Sequence, residues 1–87
     1  MTENTIIEGS AFMHSSQEKY FAHIGNIVKN ARKARGEKST TLALSIGVTH
    51  PVISLIENGK YRSLKFVTII DLFEHLQIPM SQLPVAS

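Results

Sequence analysis

The stretch Ser39-Thr-Thr-Leu-Ala-Leu-Ser-Ile-Gly-Val-Thr-His-Pro-Val-Ile-Ser-Leu-Ile-Glu-Asn58 constrains the fold of this chain more than any other segment. Its pattern predicts one short helix over residues 40–46, capped by Ser39 and broken by Gly47, and a second that begins after Thr49 and ends at Gly59. Thr49 suits the N-cap of the second helix. Pro51 sits in its first turn, where the missing N–H would have had no helical partner. Two short helices that cross steeply need a small residue where they approach, which is Ala43, and a residue that tolerates positive φ at the turn, which is Gly47. Leu42, Ile46, Val48, Ile53 and Ile56 carry the apolar positions that must face inward. Thr49, His50, Pro51, Val52, Ser54, Leu55 and Asn58 are left facing outward.

The flanking sequence supplies further helices. Ser15 and Glu18 have capping-box spacing and place a helix start near Ser15 or Ser16. Phe21, Ile24, Val28 and Ala31, with Ile27 beside them, recur at the three-and-four spacing of one buried helix face, and Gly36 ends that helix. A fourth helix is expected from about Lys65 to Leu76, with Phe66, Ile69, Ile70, Phe73 and Leu76 at helical spacing. Pro79 opens a last short turn over residues 80–83, and Pro84 stops it. Residues 1–14 contain Gly9, show no helical periodicity and read as a flexible arm or a short strand around Thr5–Ile7. The 87 residues fit one domain, so the expected architecture is all-α: a compact five-helix domain over residues 15–87 behind an arm of residues 1–14.

Charge is distributed unevenly. From Lys29 to Lys65 the chain holds Lys29, Arg32, Lys33, Arg35, Lys38, Lys60, Arg62 and Lys65 against only Glu37 and Glu57, a formal +6 within a whole-chain charge of +2. A solvated helix face would explain a basic cluster taken alone. Placed around two short helices, it is the footprint expected of a surface that meets phosphates. There is no cysteine, which removes disulfides and thiolate metal sites. The apolar runs are too short to span a bilayer and the start lacks a signal-peptide pattern, so a cytoplasmic protein without membrane contact is expected.

Ile24-Gly25, Arg32 with Gly36, Leu42-Ala43, Gly47-Val48-Thr49 and Ile53-Ser54-Leu55-Ile56-Glu57-Asn58-Gly59-Lys60 resemble the lambda-repressor/Cro-like (Xre-type) helix-turn-helix family. Its I-S-x-I-E-x-G signature matches the last of these. Phe66, Ile69, Ile70, Leu72, Phe73, Leu76 and Ile78 follow the apolar pattern of its later helix, and the resemblance covers residues 24–83. It implies a lambda-repressor-like DNA-binding domain with its helix-turn-helix at residues 39–58. The third helix would enter the major groove of double-stranded DNA, and a homodimer would read half-sites about 34 Å apart. Thr49, His50, Pro51, Ser54, Leu55 and Asn58 would then touch bases, and Lys38, Ser39, Thr40, Lys60, Tyr61 and Arg62 would lie near phosphates. Arg32 and Glu57 would pair within the protein.

Two departures from the family pattern bear on this reading. Ser39 stands where a DNA-reaching glutamine is usual, and Leu55 where a polar or basic residue is common. With His50 neutral, the third helix carries no formal positive charge, which shifts the expected readout toward apolar contacts, water and DNA shape. The loop after Gly59 is a residue longer than usual, so Tyr61 and Arg62 are expected to project.

The remaining chemistry-bearing residues read more plainly. His14, His23 and His75 lack ligand spacing and are taken as surface histidines, so no metal and no cofactor is expected. Ser54, His50 and Glu57 on one exposed helix have no pocket or oxyanion donors, so the chain is not read as an enzyme. The apolar surplus over residues 66–76, with Met80 and Leu83, is the expected dimer surface. The leading expectation is a dimeric transcriptional repressor. The alternatives are an antitoxin that binds a toxin or another antagonist protein and autoregulates its operon, and a restriction-modification controller.

Overall fold

In a computed structural model that describes the backbone of residues 2–84 and the side chains of residues 17–84, the described residues form α1 (Thr2–Ala34), α2 (Ser39–Ile46), α3 (His50–Glu57) and α4 (Phe66–Leu76). The fifth expected helix is a single 3-10 turn, Met80–Gln82. No strand occurs among the described residues.

The start of α1 differs from expectation. The arm or strand assigned to residues 1–14 is, from Thr2 onward, helical backbone continuous with the rest of α1. The capping-box pair Ser15 and Glu18 therefore lies inside the helix rather than at its end. No proline occurs before Pro51, so no residue of α1 lacks its backbone N–H. A single interior glycine such as Gly9 costs a helix only about 1 kcal/mol.

The core is the meeting place of all four helices. Ile24 and Val28 of α1, Leu42 and Ala43 of α2, Ile53 and Ile56 of α3, and Ile69, Leu72, Phe73 and Leu76 of α4 are buried together with Ile78. Phe73 is the largest side chain with no exposed surface. Ile27, Ala31, Ile46, Val48 and Leu83 pack around this centre half-buried, and so does Val52, which had been placed on the outer face. Phe66 departs furthest from the expected stripe, lying 57% exposed at the start of α4.

Each helix ends in the same backbone closure. The N–H of Glu37 returns to Arg32 O at 3.0 Å, that of Val48 to Ala43 O at 3.0 Å, that of Lys60 to Leu55 O at 2.8 Å and that of Ile78 to Phe73 O at 2.8 Å. Such a closure needs a left-handed residue just before the donor. Gly36, Gly47 and Gly59 supply it in three cases and Gln77, at φ 59°, in the fourth.

At Gly47, with φ 77° and ψ 31°, the closure does more than end α2. It turns the chain by 107° into α3 within two further residues, inside the range of a helix-turn-helix corner.

Gly25 has a different reason to be glycine. A Cβ there would stand 2.3 Å from Ile56 O and 2.7 Å from Glu57 O. The end of α3 therefore rests on the backbone of α1 itself, with no room for a side chain between them. Gly59 extends the same seam, since a Cβ on it would meet Ala22 Cα at 2.7 Å.

Candidate nucleic-acid interface

α3 divides into two faces because its apolar residues repeat at helical spacing. Ile53, Ile56 and Glu57 turn inward, while Thr49, His50, Pro51, Ser54, Leu55 and Asn58 are exposed. Thr49 occupies the N-cap with extended backbone (φ −85°, ψ 158°), but its side chain makes no cap hydrogen bond. Pro51 lies in the first turn. The face is mainly neutral and small, with Leu55 as its one large apolar residue, 41% exposed.

Several outward side chains are already oriented by protein partners. Asn58 Nδ2 donates to Ser54 O at 2.9 Å, which leaves its Oδ1 and its second N–H for other partners. His50 Nε2 lies 2.9 Å from Ser39 Oγ. That contact joins the first residue of α3 to the first residue of α2, 11 positions apart. Ser39 was expected to cap α2. Instead Lys38 holds the N-cap backbone (φ −78°, ψ 148°) without a side-chain bond, and Ser39 is the first helical residue. Its hydroxyl is thereby free to meet His50.

The residues assigned to phosphates lie at the start of α2 and in the loop that follows α3. Lys38, Thr40, Lys60 and Arg62 are exposed and Ser39 is half-buried. The first backbone N–H groups of α2 are open, since the first N–H of that segment to close a helical bond is Leu42, onto Lys38 O at 3.0 Å. Open N–H groups and a helix N-terminus both favour an anion. Tyr61 does not project as the longer loop implied; it is half-buried and packs on the core. Arg62 reaches back to α1, where its Nη2 donates to Glu18 Oε2 at 3.2 Å, both side chains about half exposed.

The basic segment separates into two groups. Arg32 is committed inside the protein: its Nε donates to Glu57 Oε2 at 2.6 Å, its Nη2 to Glu57 Oε1 at 3.0 Å and its Nη1 to Glu37 O at 2.8 Å. The hydrogen bonds that Arg32 donates to Glu57 raise its guanidinium above the ordinary value. Burial opposes that shift, and the charges of Glu57 and Glu37 add to it. Both side chains of the pair are largely buried. Lys33, Lys38, Lys60 and Lys65, by contrast, are exposed and enter no ion pair among the described residues.

A contact that the sequence reading passed over lies behind the site. His75, expected as a surface histidine, is half-buried on α4, and its Nε2 donates to Glu37 Oε2 at 2.8 Å. Arg35 Nε lies 3.5 Å from the other oxygen of the same carboxylate. The connection between α1 and α2, which carries Lys38 and leads into Ser39 at the start of α2, is thus fastened to the end of α4. No periodicity or spacing rule links positions 37 and 75, so the sequence carried no signal for it. Among the described residues no group of histidine and carboxylate side chains could hold a metal ion, and every buried side-chain nitrogen or oxygen has a hydrogen-bond partner. No described single helix is long and apolar enough to cross a membrane.

Comparison with known proteins agrees with this geometry. The sequence model of the family described as Helix-turn-helix matches residues 28–83, which takes in the last two turns of α1, all of α2, α3 and α4, and the 3-10 turn. No curated protein and no solved structure matches the chain.

Proposed function

Because the chain belongs to the Xre/lambda-repressor-like helix-turn-helix family, a family of DNA-binding regulators, we propose that it is a sequence-specific transcriptional repressor. In this reading it acts as a homodimer that reads double-stranded DNA with α3. The observation that carries the proposal is the outer face of α3, where six exposed residues stand clear of the core beside the open N-terminus of α2. Lys38, just before α2, and Lys60, just after α3, are exposed.

In this reading α3 lies in the major groove. His50, Ser54 and Asn58 make the polar base contacts, Pro51 and Leu55 touch thymine methyls, and Thr49 stands at the groove edge. Lys38, Ser39, Thr40, Lys60, Tyr61 and Arg62 line the phosphates, with Tyr61 contributing only what its half-buried ring leaves exposed. Since no formal positive charge sits on α3 itself, affinity rests on the flanks. Discrimination is then modest at each base pair.

The dimer surface belongs to the same proposal. Ile69, Leu72, Phe73 and Leu76 are used up in the core of the single chain, and Leu83 packs on it. The apolar surplus therefore narrows to Phe66 and Val67, 57% and 59% exposed, and Met80 at 43%. Selection of binding sites from random duplex DNA tests the whole reading. A near-palindromic site with half-sites one helical turn apart is the expected result; failure to enrich any sequence overturns it.

A further inference from the structure

We propose that Asn58 is a modification site: its side-chain amide is lost spontaneously to water, and only while the end of α3 is open. Of Asn4, Asn26, Asn30 and Asn58, only the last precedes a glycine. A glycine puts no side chain in the way of its own amide nitrogen, so that nitrogen reaches the asparagine Cγ more readily than at any other junction. The fold itself demands the glycine. Gly59 stands at φ 71°, and a Cβ there would meet Ala22 Cα at 2.7 Å. The reactive junction therefore cannot be relieved at residue 59 without disturbing the seam with α1.

The reaction needs water alone. Gly59 N attacks Asn58 Cγ, the Cγ–Nδ2 bond breaks, and Nδ2 leaves as ammonia with the proton that Gly59 N gives up. Water then opens the five-membered imide at either carbonyl, giving aspartate or isoaspartate. The closed end of α3 resists this at three points. Asn58 has ψ 3°, and bringing its Cγ onto Gly59 N takes a rotation of roughly 120° about that bond, the angle the tetrahedral Cα sets between Cβ and N. Asn58 Nδ2 is held by Ser54 O at 2.9 Å. The Gly59 N–H is committed to Ile56 O at 3.0 Å. Opening the last turn releases all three. The product does not close as before: a carboxylate cannot donate to Ser54 O, and its charge at a helix C-terminus opposes the helix dipole. Isoaspartate also adds a methylene to the main chain beside the seam with α1. The consequence for DNA rests on α3 being the reading helix: the new negative charge then stands at the base edge, and each copy that reacts is retired.

The experiment incubates the full chain at mildly alkaline pH, in buffer and in denaturant. Conversion at the 58–59 junction is followed by intact mass and by peptide mapping that separates aspartate from isoaspartate. Conversion should be confined to Asn58 and about tenfold slower or more in the folded chain, because only the open end reacts. Gly25→Ala, which lifts the end of α3 from α1, should raise the rate in buffer while circular dichroism shows the helices retained. If that variant unfolds, folded against denatured wild type decides alone. Equal rates in buffer and denaturant overturn the gate. Conversion at Asn58 no faster than at Asn4, Asn26 and Asn30 in denaturant overturns the site. Asn58→Asp, standing in for the product, should bind the selected DNA about tenfold more weakly or worse; unchanged affinity overturns the link to DNA. A wild-type chain that enriches no site defeats the reading helix and leaves the modification, which is measured without DNA.

Discussion

Arg32 and Glu57, 25 positions apart, are joined by two parallel hydrogen bonds of 2.6 and 3.0 Å, so the last turn of α1 grips the last residue of α3. The guanidinium fork matches the carboxylate in a way that an ammonium cannot. Arg32→Met would leave Glu57 buried without its partner and should cost about 3 kcal/mol. Arg32→Lys should recover only part of that. Replacing both residues by apolar ones should cost less than either single change, because no uncompensated charge remains. Denaturant unfolding of the four variants checks the order. Because Arg32 is shifted upward, its contribution is fully present below the unfolded arginine value and is lost only as strongly alkaline pH passes through the folded one. Arg32 titration should therefore leave stability flat near neutral pH.

Gly25→Ala should be more damaging than Gly47→Ala. The first drives a methyl into two backbone carbonyls and should cost about 2–3 kcal/mol. The second meets nothing within 4 Å and carries only the left-handed penalty of about 1 kcal/mol. Thermal melting of both proteins compares them; equal losses would mean that α1 and α3 can separate without penalty.

Gln77 occupies at φ 59° a conformation that three glycines occupy at the other helix ends. Gln77→Gly should stabilise the chain by about 1 kcal/mol, less the entropy glycine adds to the unfolded state. In a domain of this size that is a rise of several degrees in Tm. A fall in Tm would show that the glutamine side chain contributes more than its backbone conformation costs.

Charge removal at the flanks should act on affinity without altering the ranking of sequences. Lys38→Gln and Lys60→Gln should each reduce the slope of log affinity against log salt by about one, as expected for one phosphate contact apiece. Titrations of the selected site and a scrambled duplex over a range of salt concentrations provide the check. A change in ranking would move these lysines from the phosphates to the bases.

If the chain pairs through the proposed dimer surface, Phe66→Glu combined with Val67→Glu should shift it from dimer to monomer in solution mass measurements, with melting little changed because both side chains are already exposed. Persistence of the dimer would place its interface elsewhere.

What the sequence made legible was local. Ala43 and Gly47 answer steric demands within a few residues of themselves, and the apolar spacing of α3 separates its two faces without reference to the rest of the chain. Contacts set by tertiary meetings were hidden. Gly25 is glycine because of carbonyls more than thirty positions away, and Glu37 meets His75 across a gap that no pattern spans. Gln77 left no sign of its left-handed backbone because its residue type does not announce one. The expected start of α1 at Ser15 or Ser16 failed for another reason: capping-box spacing shows that a helix could begin there, and nothing upstream compels it to. Ser39 shows the same limit on a smaller scale. Its type suited an N-cap, yet the helix began one residue earlier and sent the hydroxyl to His50.

The backbone seam at Gly25 has a bearing on redesign. Since α3 is mounted on α1 through main-chain atoms, its pose does not depend on which side chains point the other way. Thr49, His50, Pro51, Ser54, Leu55 and Asn58 therefore form a replaceable edge on a fixed holder, and a library varied at those six positions should yield folded proteins with new targets. Variation at Gly25, by contrast, should tilt the holder and blunt every edge placed on it.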